Sequence, residues 1–388
     1  MFLRSRTSVV AGLGISQTLA WASSYYLPAI LADPIADGAG VSRAWVFGAF
    51  SASLLIAAAA GPRVGRFIDR HGGRGVLVAS NIVLAAGLLA LAEASGPVML
   101  FAAWGILGIG MALGLYDAGF ATLTALYRHG ARGPITGITL FAGFASTVSW
   151  PISSFLNDAI GWRETCLAWA ALNLGLGIPL NLFLLPSLTP PPLDEQAKPS
   201  APIGWRPYKE MFLLAFVFAA AWFVTGAMAS HLPELLVQAG VAPLAAVAAA
   251  ALVGPAQVAA RVCEFVMLSR IHPLVSARIA AALHPIGAAV LLLTGPPGAV
   301  AFVLLYGAGN GLLTIARGTV PLTVFGPEGY GQRTGLLGAP ARAAQAFAPF
   351  VFSFLLDAGW RMALFTSAGL CLSALGALLC LHAVRKRG

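Results

Sequence analysis

Charge is scarce in this chain. Of 388 residues, 23 are Lys or Arg and 14 are Asp or Glu, 10% in all. A soluble domain carries about 25%. The chain is 59% hydrophobic with a mean hydropathy of +0.84, so its polar surface is too small to cover a globule in water and its solvent is lipid. Cysteine is sparse as well. Cys166, Cys263, Cys371 and Cys380 lie in apolar stretches and none forms a CxxC pair, which reads as helix packing rather than metal or disulfide chemistry. HExxH, the P-loop, GxSxG and metal-spaced Cys/His clusters are all missing. An enzyme is therefore not expected, nor is a cofactor or a metal. A cleavable signal is not expected either, because Arg4 and Arg6 precede an apolar run that continues to about Leu31, too long for a signal-peptide core.

What is present is a succession of apolar runs of about 20 residues, each able to span roughly 30 Å of hydrocarbon. They fall at 8–31, 43–62, 75–94, 98–127, 134–157, 163–186, 208–231, 242–268, 274–294, 298–325, 334–356 and 361–383. Backbone polar groups in lipid must be satisfied within the segment, so the runs predict an all-α membrane protein of twelve transmembrane helices. The basic residues check the count. Seventeen of the 23 fall in, or within the first turns beyond, the termini and alternate gaps that a cytoplasmic N-terminus places inside. Three, Arg43, Arg163 and Arg361, fall in the outer gaps, and Arg261, Arg317 and Arg342 lie within spans. The asymmetry predicts a multi-pass protein of the cell membrane with both termini cytoplasmic. The net charge of +9 is thereby explained as orientation, and no nucleic-acid partner is expected.

Residues 186–207 carry seven prolines and four charges and predict an extended cytoplasmic linker. The linker, 187–207, separates an N-terminal half, 1–186, from a C-terminal half, 208–388, of six spans each. The halves repeat one another. Ser154–Asp158 with Gly161-Trp162-Arg163 recurs as Ser353–Asp357 with Gly359-Trp360-Arg361, and Gly61-Pro62 recurs as Gly254-Pro255. Parallel repeats that rock about a central site are a transporter architecture.

Between the second and third spans the chain reads Gly65-Arg66-Phe67-Ile68-Asp69-Arg70-His71-Gly72-Gly73-Arg74. This resembles the GxxxDRxGRR signature of the major facilitator superfamily, with Gly73 where an Arg often stands. The resemblance covers the whole chain in topology. It implies a secondary transporter that works by alternating access, with Gly65, Asp69, Arg70, Gly72 and Arg74 in a cytoplasmic gate. Read from the residues, the glycines allow close approach and Asp69 can form a charge network with Arg66, Arg70 and Arg74. Gly61-Pro62, Ser42–Trp45 and Gly161-Trp162-Arg163 are similar to the monocarboxylate and oxalate/formate branch.

Ionisable residues at membrane depth are costly, so each is a functional candidate. Asp117 lies roughly 16 Å along the helix from Arg128, and Arg261 and Arg342 each lie roughly 13 Å from the nearest cytoplasmic Arg, close to the midplane. Arg261 and Glu264 share a face with Gln257, and Arg317 shares one with Asn310 and Thr314. Arg342 goes with Gln345, and Gln17, Trp21 and Ser24 lie beside Tyr25. Polar stripes in lipid-adapted helices face a cavity. The candidate substrate site is thus Arg261, Arg342, Arg317, Gln17, Trp21, Tyr25, Gln257, Asn310 and Gln345. Three buried arginines against two acids leave a positive surplus, and guanidinium suits carboxylate or phosphate, so the expected partner is a small anion. The resemblance adds that the oxalate/formate branch carries basic residues on the eighth and eleventh spans, where Arg261 and Arg342 stand. A carboxyl group taken out of water holds its proton more readily, which makes Asp117 and Glu264 candidate proton carriers. The rival reading is proton-driven efflux of apolar or cationic drugs. Apart from substrate and lipid bilayer no partner is expected, and the protein is expected to be a monomer.

Overall fold

The computed structural model describes residues 5–187, 205–267 and 271–381, with side chains from Tyr208 onward in the second of these. Most of the 186–207 stretch lies outside the described residues, as do Arg4, Arg270, Arg385, Lys386 and Arg387.

The chain is helical, with no strand among the described residues. The α-helices are α1 (Arg6–Ala22), α2 (Pro28–Ala39), α3 (Arg43–His71), α4 (Arg74–Ala92), α5 (Gly96–Gly114), α6 (Tyr116–Tyr127), α7 (Arg132–Gly143), α8 (Ala145–Ile160), α9 (Trp162–Leu172), α10 (Trp205–Gln238), α11 (Pro243–Ala251), α12 (Val253–Val266), α13 (Pro273–Thr294), α14 (Ala299–Phe325), α15 (Tyr330–Asp357) and α16 (Trp360–Leu379). Ten described stretches are long and apolar enough to cross a membrane. One of them, Gly96–Ile160, runs for 65 residues, about three times the length a bilayer core needs. It folds back at the 3-10 turn Arg128–Ala131.

Several expected spans are broken, each for a local reason. The first divides between α1 and α2. Ser23 and Ser24 turn their hydroxyls back onto the carbonyls of Leu19 and Ala20, and Pro28 has no N–H to continue the ladder. The fourth divides at Leu115, which is extended between α5 and α6. The fifth divides at Phe144, upstream of Pro151, which lies inside α8. The eighth divides at Leu252. Beyond α9 the sixth loosens into π-helical turns at Asn173–Gly177 and Leu180–Leu184. Their asparagines join a buried network. Asn173 donates to Ser23 Oγ at 3.0 Å, and Asn181 donates to Ser16 Oγ at 2.8 Å and to Asn81 Oδ1 at 2.7 Å. Amides held in a lipid-embedded core need such partners. The second span, in contrast, overruns its expected end at 62. α3 continues to His71, so Gly65, Asp69 and Arg70 stand on a helix rather than in a loop, and the turn itself is Gly72 and Gly73.

Two compact units emerge, Met1–Lys198 with Pro327–Ala339, and Pro199–Gly326 with Pro340–Gly388. Division at the proline-rich stretch would assign 327–339 to the second half. The first turns of α15 instead pack in the first unit, for reasons of side-chain chemistry given below.

In the first unit α4 packs on α5 and α9, and α3 packs on α5. In the second, α13 packs on α14 and α16, and α12 packs on α14. Glycine governs one contact in each. A Cβ on Gly108 of α5 would meet the Ser53 carbonyl of α3, and one on Gly307 of α14 would meet the Val253 carbonyl of α12. The apolar core of the second unit gathers Leu235, Leu291, Phe302, Phe352 and Leu364 around α10, α13, α14, α15 and α16.

Candidate functional site

The residues expected at a cytoplasmic gate lie on α3, in the turn after it and at the start of α4, and they meet the start of α15. Asp69 lies in the last turn of α3. Its Oδ1 accepts from Gly331 N–H and its Oδ2 from Gln332 N–H, each at 2.8 Å. These are orphan donors of the first turn of α15, where the helix dipole also favours a carboxylate. Arg333 is the charge that acts on Asp69 from that turn. In place of the expected network with Arg66, Arg70 and Arg74 the carboxylate caps a helix, because α3 runs on far enough to bring Asp69 to the start of α15. Gly65, one turn earlier, faces Gly331 so closely that a Cβ would collide with the Gly331 carbonyl. Gly61 and Gly335 repeat the arrangement, with a Cβ on Gly335 falling 2.6 Å from Gly61 O. Arg70 is exposed. Gly72 closes α3 at φ 79°, a left-handed conformation that glycine adopts without strain. Arg74 opens α4 and lines a cavity of about 310 Å³ with His71, Gly73, Thr122, Leu126 and Pro186.

One ion pair on this side escaped sequence reasoning. Arg128 meets Glu328 at 2.6 Å with both side chains more than half exposed. Arg128 is also the one non-glycine residue at positive φ, 51°, among the described residues. The pair spans 200 positions, so nothing local in the sequence announces it.

Within the first unit, Gln17 and Trp21 of α1 lie against α6, and Tyr25 of the following break packs on Trp21 and on Phe50 of α3. Gln17 is fully buried and its Nε2 donates to the Gly114 carbonyl at the end of α5. Trp21 packs its ring 4.9 Å from Tyr116 and 5.1 Å from Tyr25. Asp117 is buried in the first turn of α6. Tyr116 was missed from the sequence because attention went to the charge beside it.

The second unit holds the arginines. Arg261 of α12 is buried, 5% exposed, beside Glu264 on the same helix, which is buried too. Arg261 donates to two neutral oxygens, Gln257 Oε1 and Thr314 Oγ1, both at 3.4 Å. Its Nε meets no acceptor, and it forms no ion pair among the described residues. Arg317 of α14 is buried with its guanidinium 4.5 Å from the ring of Trp222 on α10. Asn310 Oδ1 accepts from Thr225 of α10 at 2.9 Å. Trp222 and Thr225 were therefore missed, although their spacing of three on the seventh span puts them on one helix face. Arg342 and Gln345 of α15 are both buried.

The fold as a whole has parallels among known proteins. The profile described as the Major Facilitator Superfamily matches residues 13–323. An uncharacterized 38 kDa protein encoded in the 23S RNA operon of Thermoproteus tenax is 30% identical over 136 residues, 35% of this chain and 35% of that protein. Among solved structures, the human organic anion transporter MFSD10 superimposes with a TM-score of 0.73 at 17% identity, covering 96% of this chain and 99% of its own. The E. coli fucose:proton symporter FucP gives 0.74 at 14%, with 97% and 99% covered. A bacterial homologue of the iron transporter ferroportin gives 0.75 at 14%, with 96% and 98% covered. At these identities the solved structures establish the fold, and the profile match over most of the length establishes the family: the chain belongs to the major facilitator superfamily, an integral membrane transporter of small molecules rather than an enzyme.

Proposed function

We propose that the chain is a twelve-helix, two-repeat transporter that moves a small organic or inorganic anion by alternating access. On this reading α1 with α2, α5 with α6, α7 with α8, and α11 with α12 each form one crossing. The same packing partners and the same glycine contact in both units support a six-plus-six repeat.

The anion assignment is carried by Arg261. A guanidinium cannot shed its charge, and burying it with only two long bonds to neutral oxygens is costly unless an anion completes the shell. Arg342 supplies a second buried guanidinium in the same unit, and Gln257, Asn310 and Gln345 are the neutral groups assigned to the same site. Asp117 and Glu264 are the acids available to couple transport to protons. The gate is the Asp69 cap on α15 with the Gly65 contact, flanked by Arg70, Gly72 and Arg74. The protein works as a monomer in the cell membrane with both termini cytoplasmic.

The test is thermal stabilisation of the purified protein by carboxylates, oxyanions and cationic drugs, followed by counterflow of the stabilising compound in proteoliposomes. Binding to the folded state alone raises the melting point by mass action. Stabilisation by carboxylates is expected. Stabilisation by cationic drugs alone would favour proton-driven efflux, a reading supported by Asp117 and the rings around Trp21 in the first unit.

A further inference from the structure

The first unit contains a polar and aromatic constellation that anion recognition leaves unused. Two helix interruptions meet there. One is the Ser23–Leu27 break between α1 and α2, and the other is the extended Leu115 between α5 and α6. Gln17, in α1 six residues before the first of them, donates to the Gly114 carbonyl beside the second. That bond fixes which way the amide points: the nitrogen is engaged, so the carbonyl oxygen is directed elsewhere. Gln17 Oε1 is buried and meets no donor among the described residues. One turn further along the same face of α1, the Trp21 indole N–H is buried and meets no acceptor among them. In a helix packed in lipid an unmet donor and an unmet acceptor are each costly, and two such groups one turn apart point to a ligand that supplies both partners.

The surroundings define that ligand. Trp21 stands edge-on to Tyr25, tilted against Tyr26 at 5.9 Å and against Tyr116 at 4.9 Å. Tyr25 continues edge-on to Phe50 at 5.4 Å. Trp21, Tyr25 and Tyr26 are only partly buried. Aromatic packing accounts for the rings but not for the unmet groups on Gln17 and Trp21. A simple carboxylate or fully ionised oxyanion offers acceptors only, so it could take the Trp21 N–H but not satisfy Gln17 Oε1, and a small anion that does carry a hydroxyl would still leave the ring faces without a packing partner.

We infer that this constellation is a subsite for a planar aromatic ring that carries both a hydrogen-bond donor and an acceptor. The inference rests on the anion reading above and narrows it: the transported compound is a hydroxylated aromatic carboxylate rather than a small aliphatic or inorganic anion. Its ring lies among Trp21, Tyr25 and Tyr116, an oxygen acceptor takes the Trp21 N–H, and a hydroxyl donates to Gln17 Oε1.

The experiment measures affinities of the purified full chain in lipid nanodiscs for 4-hydroxybenzoate, benzoate, acetate and the uncharged 4-hydroxybenzamide, with wild type, Trp21→Phe, Gln17→Leu and Arg261→Gln. Wild type should prefer 4-hydroxybenzoate to benzoate by about fivefold, one hydrogen bond's worth, and to acetate by about a hundredfold through ring burial. Trp21→Phe keeps the ring and loses the N–H, so 4-hydroxybenzoate should bind about fivefold more weakly. Gln17→Leu should erase the preference over benzoate. The wild-type probe series stands on its own should Gln17→Leu fail to fold. Equal affinity for acetate and 4-hydroxybenzoate, unchanged affinity in Trp21→Phe, or binding of none of the aromatic probes overturns the subsite. Failure of the anion reading looks different: 4-hydroxybenzamide would bind as tightly as 4-hydroxybenzoate, and Arg261→Gln would change neither.

Discussion

At the scale of single residues, the arginines and Asp69 separate two kinds of evidence that a sequence carries. A charge in an apolar run is visible without any structure, and Arg261, Arg317, Arg342, Asp117 and Glu264 were all found that way and are all buried. Their partners were not visible. Arg261 faces neutral oxygens rather than Glu264, and Arg317 lies over Trp222, because helix faces and inter-helix contacts depend on packing that one sequence does not specify. For the proposed clamp, Arg261→Gln and Arg342→Gln should each lower counterflow roughly 10- to 100-fold, the loss of a bond to a charged group. Arg→Lys should recover only part, since an ammonium keeps the charge without the planar fork. Full counterflow in both Gln variants would remove the clamp. Asp69→Asn makes a different separation. The amide can accept from one of Gly331 N–H and Gln332 N–H but not both, and it brings no charge to the helix end. Turnover should fall about tenfold while the melting temperature and substrate affinity stay near wild type. Wild-type turnover in Asp69→Asn would take this cap out of the gate.

Among elements, the sequence was clearest about which runs are helical and least clear about where they stop. Hydropathy registers a run such as 98–127 as continuous, whereas the backbone is interrupted at Leu115, a residue as apolar as its neighbours. The Ser23-Ser24 break was readable in principle, since paired serines followed by Pro28 leave a helix short of donors. The extension of α3 to His71 was hidden for the opposite reason: arginines mark the end of a membrane span, not the end of a helix. That extension is what brings Gly65 and Asp69 to α15. Gly65→Ala would press a methyl group into the Gly331 carbonyl, and overpacking of this kind costs about 1–3 kcal/mol. If the contact belongs to one of two alternating states, the balance between them should move by about 5- to 150-fold. Accessibility of an engineered cysteine at Thr334, buried one turn beyond Gly331, reports that balance in membranes. Unchanged labelling in Gly65→Ala would show that the contact carries no gating energy.

For the molecule as a whole, the succession of apolar runs and the scarcity of charge made the all-helical membrane fold legible in the sequence. Both are long-range statistical features that survive uncertainty in every boundary. The exchange of 327–339 into the first unit was not legible, because it depends on a carboxylate and two glycine pairs placed far apart in the chain. Cysteines introduced at Ser200 and Gly388 should resist impermeant maleimide applied to intact cells and react after permeabilisation, while a cysteine at Gly96, in an expected outer gap, should react at once. Labelling of Ser200 or Gly388 in intact cells would invert the topology. The glycine-lined seam between α3 and the start of α15 has one further consequence. Its surfaces are backbone against backbone, with a carboxylate meeting amides and almost no hydrocarbon in between. When such a seam parts, water reaches peptide groups rather than side-chain carbon. Apolar exposure is what raises the heat capacity of a conformational change, and here there is little of it. The enthalpy of parting should therefore stay nearly constant with temperature, and a rate limited by this step would follow a straight Arrhenius line where an interface sealed by leucines would bend.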